Sequence, residues 1–119
     1  MSLPVRRVLI VEDEVILALD FSDAVAELGY HIIGPALSLD EGMRLARSES
    51  IDCALLDVNL GHGQTSQPIA EALRQQGVRL AFLTAYDREQ IAFANEDETV
   101  MRKPPGLAVL HHVIDFLCK

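Results

Sequence analysis

Positive charge is scarce in this sequence: 10 Lys and Arg stand against 18 Asp and Glu, for a formal charge of −8. A nucleic-acid surface needs clustered basic residues that release counterions from the phosphate backbone, and here they are scattered, so no nucleic-acid binding is expected of this domain. No apolar stretch approaches the roughly 18 residues of a membrane span, and the start lacks the charged, apolar and small-residue order of a secretory leader. The chain is therefore expected to be soluble and cytoplasmic, without a membrane partner. Cysteine is sparse too. Cys53 and Cys118 have no metal-ligand spacing and are read as buried, inert thiols, Cys53 within the apolar run Ile51 to Leu56. Neither His31, His62 nor the adjacent His111 and His112 offers a metal clamp, because neighbours on a helix point about 100° apart. Repeats, low-complexity tracts and linkers are missing, and 119 residues leave room for one domain, 1–119, and no second.

What is present is a composition that is 50% hydrophobic, distributed in a regular alternation. Val5 to Val11 reads as a strand buried on both faces. Glu14 to Leu28 reads as a helix with Ile16, Leu17, Leu19, Ala24, Val25 and Leu28 on its apolar side, stopped by Gly29. His31 to Gly34 is a short strand ended by Pro35, and Ser38 caps a helix running to about Ser48, with Glu41 at the capping-box position. Ile51 to Leu56 is a third strand, followed by a loop from Asn59 to Gln67. A helix from Pro68 to Gln76, a strand from Val78 to Leu83, a short helix from Asp87 to about Ala94, a strand from Thr99 to Arg102 and a closing helix from Leu107 to Leu117 complete the pattern. The closing helix is expected to bury Leu107, Leu110, Ile114 and Leu117.

Five strand–helix units in strict alternation imply right-handed crossovers and an α/β fold, a doubly wound five-stranded parallel sheet covered on both faces, a three-layer sandwich. In such sheets the ligand crevice lies beyond the carboxyl ends of the strands, so residues just past each strand carry the function. Past the first strand come Glu12, Asp13 and Glu14; past the third, Asp57; past the fourth, Thr84 and Ala85; past the fifth, Lys103 and Pro104. In the common order 2-1-3-4-5, the first and third strands are neighbours, which brings Glu12, Asp13 and Asp57 together.

Three carboxylates roughly 5 Å apart repel by about 3 kcal/mol per pair at an effective dielectric near 20, which calls for a cation. Oxygen-only ligands favour a hard ion, and Mg²⁺, or Mn²⁺, suits a site that keeps positions for water and phosphate. Asp13 and Asp57 are the expected direct ligands, with the backbone carbonyl of Asn59 as a third and Glu12 acting directly or through water. Asp57 beside such an ion is a competent oxygen nucleophile; Lys103 and the Thr84 hydroxyl can stabilise charge on transferring phosphoryl oxygens. No residue of the set is an evident general base aimed at water, so an acyl phosphate should persist long enough to signal, with Asn59 and Tyr86 influencing how water reaches it.

With those residues in hand, the chain from Val5 to Leu117 resembles the receiver domains of response regulators in two-component signalling. Val8-Leu9-Ile10-Val11-Glu12-Asp13-Glu14 resembles that family's first strand and acidic pair, Leu55-Leu56-Asp57-Val58-Asn59 its phosphorylation site, Leu83-Thr84-Ala85 its switch hydroxyl segment, and Lys103-Pro104 its lysine and commonly cis proline. The resemblance implies a flavodoxin-like receiver fold and phosphoryl transfer to Asp57 from a histidine kinase or histidine phosphotransfer protein. It implies output by altered protein binding on the face of the fourth helix, fifth strand and last helix, and leaves a homodimer open. Such a chain is a phosphoacceptor that assists its own phosphorylation and dephosphorylation, not an enzyme.

Two departures stand out. Receivers usually carry an aromatic residue three positions before the lysine, and here that position is Val100. Tyr86 either takes over this role or simply covers the short fourth helix, and the segments Asp57 to Leu60 and Phe82 to Tyr86 together resemble a bacterial subgroup of stand-alone and hybrid-kinase receivers. Gly61-His62-Gly63 replaces the usual proline-containing loop and suggests a mobile cover. Three rivals are set against this reading. A haloacid-dehalogenase-type phosphatase wants a second Asp where Asn59 stands, and a nucleotide-binding domain wants glycines where Glu12-Asp13-Glu14 stands. A phosphate-independent interaction module with the same fold is the third, and it leaves Glu12, Asp13, Asp57, Thr84 and Lys103 together unexplained. No effector segment is present, so the chain reads as a stand-alone regulator or a piece of a longer one.

Overall fold

Alternation of buried side chains along the strands decides the architecture. In the computed structural model, which describes residues 5–85 and 91–118, the chain forms β1 (Arg7–Val11), α1 (Val15–Glu27), β2 (His31–Ala36), α2 (Leu39–Ser48) and β3 (Cys53–Asp57). A small hairpin, β4 (Asn59–Gly61) and β5 (Gln64–Thr65), precedes α3 (Gln67–Gln75), β6 (Arg79–Thr84), β7 (Thr99–Arg102) and α4 (Leu107–Leu117). The main sheet is parallel in the order β2-β1-β3-β6-β7, the expected doubly wound arrangement.

Each central strand sends alternate residues to opposite faces. Leu9, Val11, Ala54, Leu56, Leu80 and Phe82 meet Leu45 and Ala46 of α2 and Ile69 and Leu73 of α3. Val8, Ile10, Cys53, Leu55, Ala81 and Leu83 meet Phe21 and Val25 of α1 and Leu110 and Ile114 of α4. The pair α2 and α3 pack so closely that a Cβ on Gly42 would stand 2.5 Å from Ile69 Cδ1, so a side chain there would require Ile69 to turn aside.

Several expectations are corrected. The strand at His31 does not end at Pro35 but continues to Ala36, through a cis Gly34–Pro35 bond and a register shift against β1; β2 is a sheet edge, where a residue without N–H costs no ladder bond. The buried face of α1 is Ala18, Phe21, Ser22 and Val25, while Ile16 and Leu19 are exposed. Residues 15–19 are apolar all round, so the sheet, not the local pattern, selects the inward stripe. On α4, Val113 is buried and Leu107 exposed, because Leu107 is the first helical residue and sits ahead of the contact with the sheet. Residues 59–65 form an antiparallel hairpin and not only a loop, with Gly61, His62 and Gly63 all at positive φ in its turn. The thiols are buried as expected but are not separate: Cys53 and Cys118 are joined in a disulfide, their Cα atoms 5.7 Å apart. Spacing of 65 residues in the chain offered no hint of that pairing.

The short helix expected from Asp87 falls partly on residues 87–90, which lie outside the described residues, as does Tyr86; Ile91 to Ala94 form a turn closed by the Ala94 N–H to the Ile91 carbonyl. This segment is anchored. Ile91 is buried beside α3, Phe93 meets Phe82 edge-on with ring centroids 5.4 Å apart, and Arg74 of α3 bonds both Glu98 oxygens and the Phe93 carbonyl. No helix among the described residues is long and apolar enough to cross a membrane.

Candidate functional site

Register places the functional side chains at one edge. Val11 pairs with Leu56, so Glu12 and Asp57, one residue further along adjacent strands, emerge side by side. Leu83 pairs with Asp57, and the Leu83 carbonyl accepts the Val58 N–H at 3.1 Å. Thr84 pairs with Arg102, and the Thr84 carbonyl accepts the Lys103 N–H at 2.9 Å, bringing the fifth strand's lysine to the same edge. Asp13, Glu14, Asp57, Asn59, Gly61, Thr84, Ala85 and Lys103 line one cavity of about 220 Å³. Of the expected residues, Asp13, Asp57, Asn59, Thr84, Ala85 and Lys103 share this cavity; Glu12 is wholly buried and does not line it, though its carboxylate lies close to those of Asp13 and Asp57, while Val100 packs against the core and Tyr86 lies outside the described residues.

Glu12 is instead engaged on both oxygens. Oε1 accepts from Lys103 Nζ at 2.8 Å, and Oε2 accepts the Glu14 backbone N–H at 3.2 Å. Lys103 Nζ also stands 3.0 Å from Asp57 Oδ1, so one ammonium bridges two carboxylates. Burial alone would lower the lysine pKa, but the bonds to Glu12 and Asp57 outweigh it and hold the group above its ordinary value. Asp57 is pushed the other way for an acid: burial first, then the adjacent Glu12, raise it from 3.8 to about 8 against the opposing pull of Lys103. Lys103–Pro104 is a cis bond, as the resemblance implied.

A hard cation fits this chemistry. Ligand oxygens of Glu12, Asp13 and Asp57 lie within 4.8 Å of one another, an oxygen-only set whose excess negative charge one lysine does not balance. Both Glu12 oxygens are engaged, by Lys103 and by the Glu14 N–H, and Glu12 does not line the cavity; Asp13 and Asp57 do, Asp57 with its Oδ1 also held by Lys103, so these two are the carboxylates placed to face an ion there. Gly61, expected only as part of a mobile cover, is brought over the site by the hairpin and stands against Asp13. A Cβ there would stand 3.3 Å from Asp13 Oδ2, and its N–H donates to Asn59 Oδ1 at 3.0 Å; its signal in the sequence is only that a glycine two residues after Asn59 permits the positive φ. Val100, opposite Phe82 in β7, is half-buried against the α2 and α3 side of the core, an aliphatic filler in place of an aromatic. A larger cavity, about 540 Å³, lies near the C-terminal ends of α3 and α4 beside the start of β6, but Arg74 and Glu98 within it already bond each other.

No protein-family model matches the chain. It is 28% identical over 96 residues to the transcriptional regulatory protein PdtaR of Mycobacterium tuberculosis, an alignment covering 81% of this chain and 47% of that protein. The chain thus spans about half the length of that curated relative. A response regulator receiver protein from Sinorhizobium medicae superposes with a TM-score of 0.86 at 20% identity, covering 98% of this chain and 97% of the other. The signal receiver domain of a modulated diguanylate cyclase from Desulfovibrio desulfuricans superposes with a TM-score of 0.84 at 26% identity, covering 97% and 94%. Over nearly the whole chain, the arrangement of strands and helices closely matches that of CheY-like receiver domains of response regulators.

Proposed function

We propose that the chain is a phosphorylation-dependent signalling switch in which Asp57 accepts a phosphoryl group and the change is passed on by altered protein binding. The observation that carries this reading is the convergence of Asp57, Asp13, Thr84 and Lys103 on one 220 Å³ polar cavity. Nothing in the packing of the core requires two acids, a hydroxyl and an ammonium at the same strand edge. The chain is read as a phosphoacceptor that assists its own phosphorylation and dephosphorylation, not as an enzyme, the set offering an acceptor, carboxylates suited to a cation and charge-stabilising groups.

Asp13 and Asp57 would hold Mg²⁺, with the Asn59 carbonyl as a third donor, and the ion when bound supplies charge neutralisation for the incoming phosphoryl oxygens. Asp57 then offers one oxygen in line with the donor's phosphorus. Lys103 lets go of one carboxylate partner to meet a phosphoryl oxygen while Glu12 keeps it at the edge of the cavity, and Thr84 donates its hydroxyl to another oxygen. Ala85, exposed and small, leaves space for that contact.

The donor is proposed to be a histidine kinase or histidine phosphotransfer protein. Val15, Ile16 and Leu19 are exposed on α1 directly after the acidic residues, an apolar surface beside the cavity that suits a protein partner. Output is proposed on the face of β7 and α4, where α4 exposes Val109 and Phe116, with a homodimer as one form it can take. A cytoplasmic location follows from such partners. The competing interaction-module reading draws on Val100 alone. Incubation with a small acyl phosphate and Mg²⁺ separates them: one phosphoryl mass is gained by the parent and none by Asp57→Asn, whereas no gain in the parent leaves only the interaction module.

A further inference from the structure

Cys53 opens β3 and Cys118 follows α4, 65 residues apart in the chain, yet their Cα atoms stand 5.7 Å apart with the sulfurs joined. That distance lies within the roughly 4.4–6.8 Å that a disulfide spans without moving the backbone. The pair sits in the apolar layer between sheet and helices, among Val8, Leu55, Val113 and Leu117. Cys53 is fully covered, while Cys118 keeps 7% of its surface exposed. Otherwise the C-terminal end of α4 is held by apolar packing of Val113, Ile114 and Leu117, with a long 3.5 Å bond from Arg79 Nη1 to the Phe116 carbonyl. The sulfur link is therefore what ties this end of the helix covalently to the sheet. Its position bears on the site at both ends: Cys53 is on the strand that ends in Asp57, and α4 starts shortly after Lys103–Pro104.

We propose that Cys53 and Cys118 form a redox modification site, a dithiol that peroxide-class oxidants close and small thiols reopen, so that α4 is bonded to β3 when oxidised and held by packing alone when reduced. The more exposed sulfur reacts first. Cys118 thiolate attacks one oxygen of hydrogen peroxide, forming an S–O bond as the O–O bond breaks, and the departing hydroxide leaves as water after taking a proton. Cys53 sulfur then attacks Cys118 sulfur; the S–S bond forms, the S–O bond breaks, and the released hydroxide takes the Cys53 proton as a second water. Two thiols and one peroxide become one disulfide and two waters. In reverse, a glutathione-type thiolate attacks Cys118 sulfur and frees Cys53; a second thiol displaces the mixed disulfide and carries both oxidising equivalents away as the small disulfide. Because α4 belongs to the proposed output face, the same bond would set how freely that face rearranges, whether or not Asp57 is phosphorylated.

The test equilibrates the full chain across ratios of reduced to oxidised glutathione, counts trapped thiols by alkylation and intact mass, and follows hydrogen exchange at the backbone of residues 114–118. Both thiols are expected to disappear together in one transition within a monomer, and reduction is expected to speed exchange at the end of α4 by about tenfold or more. Cys118→Ser should exchange at the reduced rate at every ratio; Cys53→Ala should do the same, and if that core substitution fails to fold, the Cys118 variant decides. Two alkylated thiols at every ratio, disulfides formed only between chains, or exchange unchanged by reduction would overturn the proposal. None of these readouts involves phosphate, so a negative result leaves the phosphoacceptor reading untouched, and the reverse also holds.

Discussion

The Lys103 ammonium stands 2.8 Å from the carboxylate of Glu12, a side chain with no exposed surface. A buried carboxylate of this kind is tolerated only while its partner remains, since removing one member of a buried pair leaves an uncompensated charge, at a cost of about 3–5 kcal/mol. Lys103→Met is therefore expected to lower stability in urea by about 3 kcal/mol, and Glu12→Gln in the same chain to restore much of it. Equal losses in the single variant and the double variant would show that Glu12 and Lys103 are not coupled.

Asp57 imposes a pH dependence of known sign. Its carboxyl is raised in the fold from 3.8 to about 8, so the folded chain binds that proton more tightly than the unfolded chain does. Its contribution is fully present below the ordinary carboxyl range and is lost as pH rises from about 4 through about 8. Without divalent cations, the protein should become less stable across this window. Asp57→Asn should flatten the dependence and be more stable at pH 8 by on the order of 1–3 kcal/mol. Urea midpoints collected in chelator at several pH values give the slope directly.

Divalent cation should reverse that penalty. At a hundredfold excess over its dissociation constant, Mg²⁺ is expected to add about 2.7 kcal/mol to stability. Asp13→Asn should weaken binding by about tenfold or more, because Asp13 faces the cavity and Glu12 is already occupied. Titration followed by thermal unfolding measures both effects; an unchanged affinity in Asp13→Asn would move the ion elsewhere.

The hairpin cover offers a narrower test. Gly61 has a φ of 81° and lies 3.3 Å, at its virtual Cβ, from Asp13 Oδ2. Gly61→Ala should cost about 1 kcal/mol through the left-handed backbone and also lower Mg²⁺ affinity by displacing Asp13. A stability loss with unaltered affinity would mean the hairpin accommodates a side chain without disturbing the acid.

What was legible in the sequence follows a physical division. Buried parallel strands are apolar throughout and end where a polar edge is required, so Glu12, Asp57, Thr84 and Lys103 marked the strand ends and the candidate site together. Side chains whose direction depends on tertiary contact were less legible. Ile16 and Leu19 are as apolar as Phe21, and only the position of the sheet turns Ala18 and Phe21 inward. Pro35 reads as a strand stop unless the strand is known to be an edge, which is a property of sheet order. Division of labour among the acids was hidden as well: that Glu12 serves Lys103 while Asp13 faces the cavity depends on how the chain leaves β1. The Cys53–Cys118 pairing joins elements from opposite parts of the chain and has no local signature.

The central claim concerns one oxygen atom, on Asp57. After treatment with a small acyl phosphate and Mg²⁺, borohydride reduction converts an aspartyl phosphate into homoserine, which peptide sequencing by mass spectrometry locates. The account predicts homoserine at position 57, absent when Mg²⁺ is chelated and strongly reduced in Lys103→Met. Homoserine at Asp13 or another carboxylate, or the same yield at position 57 without a divalent cation, would contradict it.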